Sequence, residues 1–255
     1  MTLFNNSIKT KPTALKSVTE VGWTMVDTRK PGNWGNPEPF ARNLPKATTS
    51  KSVQVCPAAV DFDARYYVLK CPIDLHIHLV TDHINKTYRV EFIQEQQIST
   101  ANEFLKHCIK ILPISEWKHP DRPVLQILTP YTFLSDDCVY INQSPPFMDY
   151  FFERLPGLIF SKRFPIHLWP AQLTWTFEWQ DVSQPISIKQ GTPWFYVHFE
   201  SSDPSRRARL VDASLTESVK KYIYSLTDLP IPSHVTDADF QKAIKRKPPE
   251  LLFLK

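Results

Sequence analysis

The chain predicts a mainly β protein: an antiparallel two-sheet β-sandwich or jelly-roll-like barrel with two short helices and extended termini. Three observations carry this. Residues 169–200 read WPAQLTWTFEW and then QPISIKQGTPWFYVHFE, two alternating stretches closed by a turn signal at Gly191-Thr192-Pro193. Leu173, Trp175, Phe177 and Trp179 alternate with Thr174, Thr176 and Glu178, and Phe195, Val197 and Phe199 with Trp194, Tyr196, His198 and Glu200. That period of two is what a half-buried strand requires. Glycine is scarce, at 5 residues, and proline abundant, at 23, which suits short punctuated strands and excludes long helices. Strand signals also follow one another from Val53 onward, separated by short polar breaks.

Residues 1–50 are polar and rich in Pro, Lys and Thr, with Trp23, Trp34 and Phe40 as isolated apolar anchors, and read as an extended basic arm. The β domain is expected over 51–228. VQVCP, RYYVLKCP, DLHIHL and TYRVEFI are its first strands, and the Cys-Pro pairs at 56–57 and 71–72 mark strand ends or bends. STANEFLKHCIKIL reads as a helix with Phe104, Leu105, Cys108, Ile109 and Leu112 on one face, ended by Pro113. Strands resume with VLQILTPYTFL and CVYINQ, while MDYFFERLPGLIF fits either a strand or a short helical turn. SLTESVKKYIYSL is the second helix, with Val219, Tyr222, Ile223 and Leu226 on one side. Residues 229–255 read as a Pro-rich basic tail with one capped turn at Thr236-Asp237.

The net charge of +4 is unevenly spread. Residues 1–50 hold seven Lys/Arg against three Asp/Glu, and 240–255 hold five against one, so the body between them is acidic. Basic ends on such a body suit a protein partner or self-assembly, or simply keep the chain solvated. Neither end interleaves aromatics with spaced Lys/Arg, which argues against a dedicated nucleic-acid site. Cys56, Cys71, Cys108 and Cys138 form no CxxC pair, against a zinc knuckle or thioredoxin-type motif. MTLFNNSIKTKPTALK lacks the apolar stretch of a secretion signal, and no run resembles a membrane span. The expectation is a cytoplasmic protein with reduced, mostly buried cysteines.

Several residue sets could carry chemistry. His76 and His78 stand at i and i+2 on one strand face, as do His198 and Glu200 on a later strand. Were those strands neighbours, the four could converge on a divalent metal. The pattern resembles the HxH signature of cupins but departs from it, since the next acids are Asp82 and Glu91 and no glycine flanks the pair. A polar stripe on a solvated strand face accounts for the same residues. Asp61 and Asp63, read as a same-face strand pair, and the doublet Asp136-Asp137 could serve acid–base chemistry or be ordinary surface carboxylates. The stripe Trp175, Phe177, Trp179 could stack on sugar rings or bases, or form core. No nucleophile elbow, phosphate loop, dinucleotide fingerprint or HExxH helix is present.

Cys71-Pro72, Pro130-Tyr131, Pro170-Ala171 and Gly191-Thr192-Pro193 occur in the order strand-Cys-Pro, proline-bearing apolar strand, Trp-rich strand, glycine turn. This layout, over roughly 53–200, resembles a group of uncharacterised bacterial and tailed-phage proteins, of the marine and cyanophage type, grouped as a domain of unknown function. Thr192 stands where that group usually has an acid. The resemblance implies a compact β domain and a phage setting, and assigns no catalytic residue. The functional expectation is a non-enzymatic binding or assembly module, an accessory or virion-associated phage protein. The alternatives are a cupin-like metal-dependent enzyme using His76, His78, His198 and Glu200, and a sugar-binding sandwich.

Overall fold

The computed structural model of the protein describes residues 18–27, 30–41, 55–82, 87–93, 98–149, 155–227 and 237–255. In chain order the first strands are β1 (Val18–Met25), β2 (Glu38–Pro39), β3 (Tyr66–Lys70), β4 (Leu75–Asp82) and β5 (Thr87–Phe92). Next come β6 (Ile109–Ile111), β7 (Val124–Leu134), β8 (Val139–Ser144), β9 (Gly157–Ile159) and β10 (Lys162–Pro165). The last are β11 (Gln172–Trp179), β12 (Ile186–Ile188), β13 (Pro193–Ser201), β14 (Arg207–Ser214) and β15 (Phe253–Leu254). A seven-stranded sheet runs β15-β14-β1-β7-β11-β9, with β6 also on β7, and a five-stranded sheet runs β10-β8-β13-β3-β2. A three-stranded sheet, β12-β4-β5, completes the set. All described pairings are antiparallel except β1 with β14. The molecule is mainly β and of the sandwich class, and its sheets do not close into a barrel.

The two larger sheets bury one face each against the other. Trp175 on β11 stacks on Trp194 of β13 at 5.5 Å, and Phe133 of β7 meets Phe199 of β13 at 5.4 Å. The two halves of 169–200 are therefore not paired as one hairpin. β11 pairs with β7 and β9, β13 with β3 and β8, and the Trp-rich faces meet across the sandwich. β12 intervenes between them and joins β4, and Gly191, at φ 79°, supplies the left-handed turn into β13. A register shift between Pro193 and Phe195 turns Trp194 into the core beside Phe195, where strict alternation would set it with Tyr196. At Gly157 the backbones of β9 and β11 approach so closely that a Cβ would lie 2.0 Å from the Glu178 carbonyl oxygen.

Among the described residues four helices flank the sheets: α1 (Pro57–Asp63), α2 (Ile98–Cys108), α3 (Glu217–Thr227) and α4 (Asp237–Arg246). Pro57 opens α1, a position that needs no N–H, so VDFDARY begins as helix rather than strand and Asp61 and Asp63 are not a strand-face pair. α2 buries Phe104 and Cys108 but stops there, because Ile109–Ile111 peel off as β6 to pair with β7. Thr216 caps α3 through its hydroxyl to the Val219 N–H, and Val219, Tyr222, Ile223 and Leu226 are all buried, as their spacing predicts.

The ends hold more structure than an arm and a tail. β1, inside 1–50, is an interior strand of the seven-stranded sheet. Thr19 and Val21, at alternate positions along it, are both fully buried, as one face laid on the core requires. Residues 1–17, 28–29 and 42–50 of the expected arm lie outside the described residues, as do 228–236. α4 and Leu251 join Leu134, Trp169 and α3 in a second apolar cluster, so the described part of 229–255 is packed. Tyr222 ties this cluster down, its hydroxyl lying 2.6 Å from the Leu168 carbonyl and 3.1 Å from that of Ala243. No helix among the described residues is long and apolar enough to cross a membrane.

Candidate binding face

Beyond the Trp194 irregularity, β13 alternates cleanly. Phe195, Val197 and Phe199 enter the core, so Tyr196, His198 and Glu200 lie on the outer face of the five-stranded sheet. Register then builds a row across four strands: Tyr66 of β3 opposes His198, His198 opposes Asn142 of β8, and Asn142 opposes Arg163 of β10. Directly opposed residues share a face, so phenol, imidazole, amide and guanidinium stand side by side. The Tyr66 and His198 rings are stacked at 5.1 Å. Arg163 bonds the Glu200 carboxylate at 3.0 Å and lies 3.9 Å over the Tyr140 ring.

Rings crowd one end of this row. Phe62, from α1, is 5.0 Å from Tyr66, and Phe147 is 5.7 Å from Tyr66 and 5.6 Å from Tyr196. Phe40 completes the group at 5.4 Å from Tyr196. Phe147 is 56% exposed and Phe62 43%, whereas Tyr196 is fully buried beneath them. The Tyr196 hydroxyl and the Asn142 amide nitrogen are both buried and make no hydrogen bond. Native interiors pair nearly all polar groups, so both donors have bonding capacity to spare. Burial holds the His198 imidazole below the ordinary histidine range, against the pull of Glu200, so the ring is neutral near pH 7. Burial, reinforced by Glu200, raises the Tyr66 phenol. The face thus presents the Arg163 guanidinium, the Glu200 carboxylate, the His198 imidazole and two open phenyl rings, with the unpaired donors of Asn142 and Tyr196 just beneath it.

The metal set expected from the sequence is divided between two sheets. His76 and His78 lie on β4, whose neighbours are β12 and β5, while His198 and Glu200 lie on β13, between β3 and β8. The convergence required those strands to be adjacent, and they are not. His78 faces Glu91 at 3.8 Å, and Glu200 is held by Arg163. Among the described residues no three His, Cys, Asp or Glu side chains are gathered as a metal would need. The stripe Trp175, Phe177, Trp179 is fully buried core, not a stacking surface.

The acidic candidates serve the fold. Asp61 bonds Arg65 at 2.9 Å and Arg207 at 2.7 Å, which holds its carboxyl below the usual range. Asp136 accepts the backbone N–H groups of Leu251 and Leu252, and Asp137 meets Arg206 at 3.4 Å. A cleft of about 410 Å³ opens beside them, lined by Glu20, Asp136, Asp137, Glu250 and Leu252–Leu254. Its carboxylates are largely spent on these contacts and on the Glu20–Arg209 pair. The cysteines are free, with Cys71 and Cys108 buried and Cys56 and Cys138 exposed. Burial pushes the Cys71 thiol up to about 12 and that of Cys108 to about 11, which leaves both unreactive.

Sequence reasoning singled out His198 and Glu200 of this face and missed Tyr66, Asn142, Arg163, Tyr196 and Phe147. Only strand register brings those together, and register between distant strands leaves no local signal. No protein-family model matches the chain, and no curated protein matches its sequence.

Proposed function

We propose that the protein is a non-enzymatic binding module that holds its ligand on the outer face of the five-stranded sheet. The row Tyr66–His198–Asn142–Arg163 is the observation that carries this reading. It sets aromatic and hydrogen-bonding groups in register beside two exposed phenyl rings, on rigid strands rather than loops. Sites of this composition orient a ligand by a few fixed polar groups against apolar surface. The arrangement provides no paired nucleophile and base, the elements that acyl or glycosyl transfer would need. An accessory or virion-associated phage role, which the sequence resemblance implies, is compatible with a module of this kind.

Fragment mapping tests the reading without knowledge of the ligand. Small aromatic and polyol fragments screened by protein NMR are expected to shift resonances of Tyr66, Asn142, Phe147 and His198. Hits gathered in the cleft beside Asp136 and Glu250 instead, or scattered without focus, overturn it.

A further inference from the structure

We infer that the ligand of this face is a neutral oligosaccharide, an inference that rests on the binding-module reading. Three features of the face select that chemistry. First, the exposed rings of Phe147 and Phe62 stand beside the half-buried Tyr66, and the C–H face of a pyranose packs against such rings without needing charge. Second, the face combines donors and acceptors. Asn142 and Tyr196 carry buried N–H and O–H groups with no partner, while Glu200 and the neutral His198 accept. A sugar hydroxyl donates and accepts at one atom, so neighbouring hydroxyls match a row of this kind.

Third, the four basic groups around the face already lie against three carboxylates. Arg163 is held by Glu200 at 3.0 Å, Lys70 by Glu38 at 2.7 Å, and Arg65 and Arg207 by Asp61 at 2.9 and 2.7 Å. Binding of a nucleic acid or a sulfated glycan draws its strength from cations free to replace condensed counterions. Aromatic rings alone would suit a nucleobase as well as a sugar. The pairing of these cations with carboxylates is what favours the uncharged ligand.

Calorimetric titration of the full chain with neutral hexasaccharides of glucose, xylose, mannose and N-acetylglucosamine tests the inference, with oligo-dT and a sulfated hexasaccharide as anionic arms. Calorimetry suits the question because Trp175, Trp179 and Trp194 are fully buried, so indole emission would not report the face. At least one neutral hexasaccharide is expected to bind, with an affinity unchanged as salt is raised. Phe147→Ala, which removes an exposed ring, and Asn142→Ala should each weaken it by about tenfold while the melting temperature holds. Tyr66→Phe keeps the ring and should retain most of the binding. Failure of every neutral hexasaccharide, or binding that survives both alanine variants, overturns the inference. Oligo-dT binding that falls steeply with salt transfers the face to nucleic acid. Fragment hits that map to the face while all the sugars fail discard the ligand class alone. Loss of the fragment hits as well discards the binding face with it.

Discussion

Lys162 is the residue whose chemistry is most altered by its surroundings. Its ammonium crosses from β10 to β11, 2.6 Å from the Thr176 hydroxyl and 3.1 Å from the Thr174 carbonyl, with no carboxylate among these contacts. Gln143, opposite it on β8, donates to the same carbonyl at 3.1 Å. The two side chains close the seam where β11 runs past the end of β9. Burial lowers the Lys162 amine to about 8 from an ordinary 10.5. Between those values the unfolded chain holds a proton that the native state lacks, so stability rises with pH across that window. Tyr131, Tyr196 and Tyr222 act oppositely. Burial raises their phenols above the ordinary 10.0, so above that pH the unfolded chain loses protons first and stability falls. The buried Cys71 and Cys108 thiols, raised from 9.0, oppose the rise in the same way from about pH 9, so the melting temperature should climb from about pH 8 to about pH 9 and then decline, and Lys162→Met should flatten the climb. A climb that persists in Lys162→Met would assign it to other groups. Nothing local in SKRFP distinguishes Lys162 from Arg163. One enters the seam and the other faces outward because neighbours on a strand point to opposite sides.

At the scale of elements, β11 is where the sequence and the structure agree most closely. Its alternation announced a strand, and Trp175, Phe177 and Trp179 are fully buried. The opposite face is less exposed than a period of two suggests. Thr176 is 5% exposed and Glu178 4%, because Lys162 reaches over the threonines and Arg122 lies 3.6 Å from Glu178. Trp175→Ala leaves a large cavity between Phe177 and Trp194 and should cost about 3–5 kcal/mol, read as a lowered denaturant midpoint. An unchanged midpoint would place the indole outside the core. The helices show the limits of local reading. α3 follows its spacing, whereas the end of α2 is set by β7, which recruits Ile109–Ile111 as a strand. Pairing of β11 with β13 looked natural from their proximity in sequence, and β7 and β9 are its partners instead. Short-range periodicity was legible; long-range partnership was not.

For the whole molecule, the contacts that matter join the ends to the middle. Asp136, in the turn between β7 and β8, holds Leu251 by an N–H bond of 2.6 Å and Leu252 by one of 3.2 Å. These bonds seat β15 against β14 and bring the Leu252 side chain over Gly22, where a Cβ would lie 2.4 Å from it. Asp136→Ala should leave both N–H groups without their acceptor and cost about 1–3 kcal/mol. Hydrogen exchange should accelerate at 251–254 while α3 stays protected; equal protection in the variant would show that the carboxylate is dispensable. The same reasoning explains why the metal set looked possible from the sequence. His76–His78 and His198–Glu200 have the right spacing within each strand, and only the sheet order separates them.

That order also imposes a timetable on synthesis. β1 leaves the ribosome before both of its partners, yet it pairs with β7 only through Gly22–Met25, and its other edge waits for Arg207–Asp212 of β14. At ~5–20 residues per second that partner follows roughly 10–40 s later. Throughout that interval Val21 and the unpaired backbone of β1 remain without their final cover, in a nascent chain that already carries the Trp-rich strand. The seven-stranded sheet thus waits on a strand made some 190 residues after β1, and a chaperone's claim on this protein would be strongest just before β14 appears.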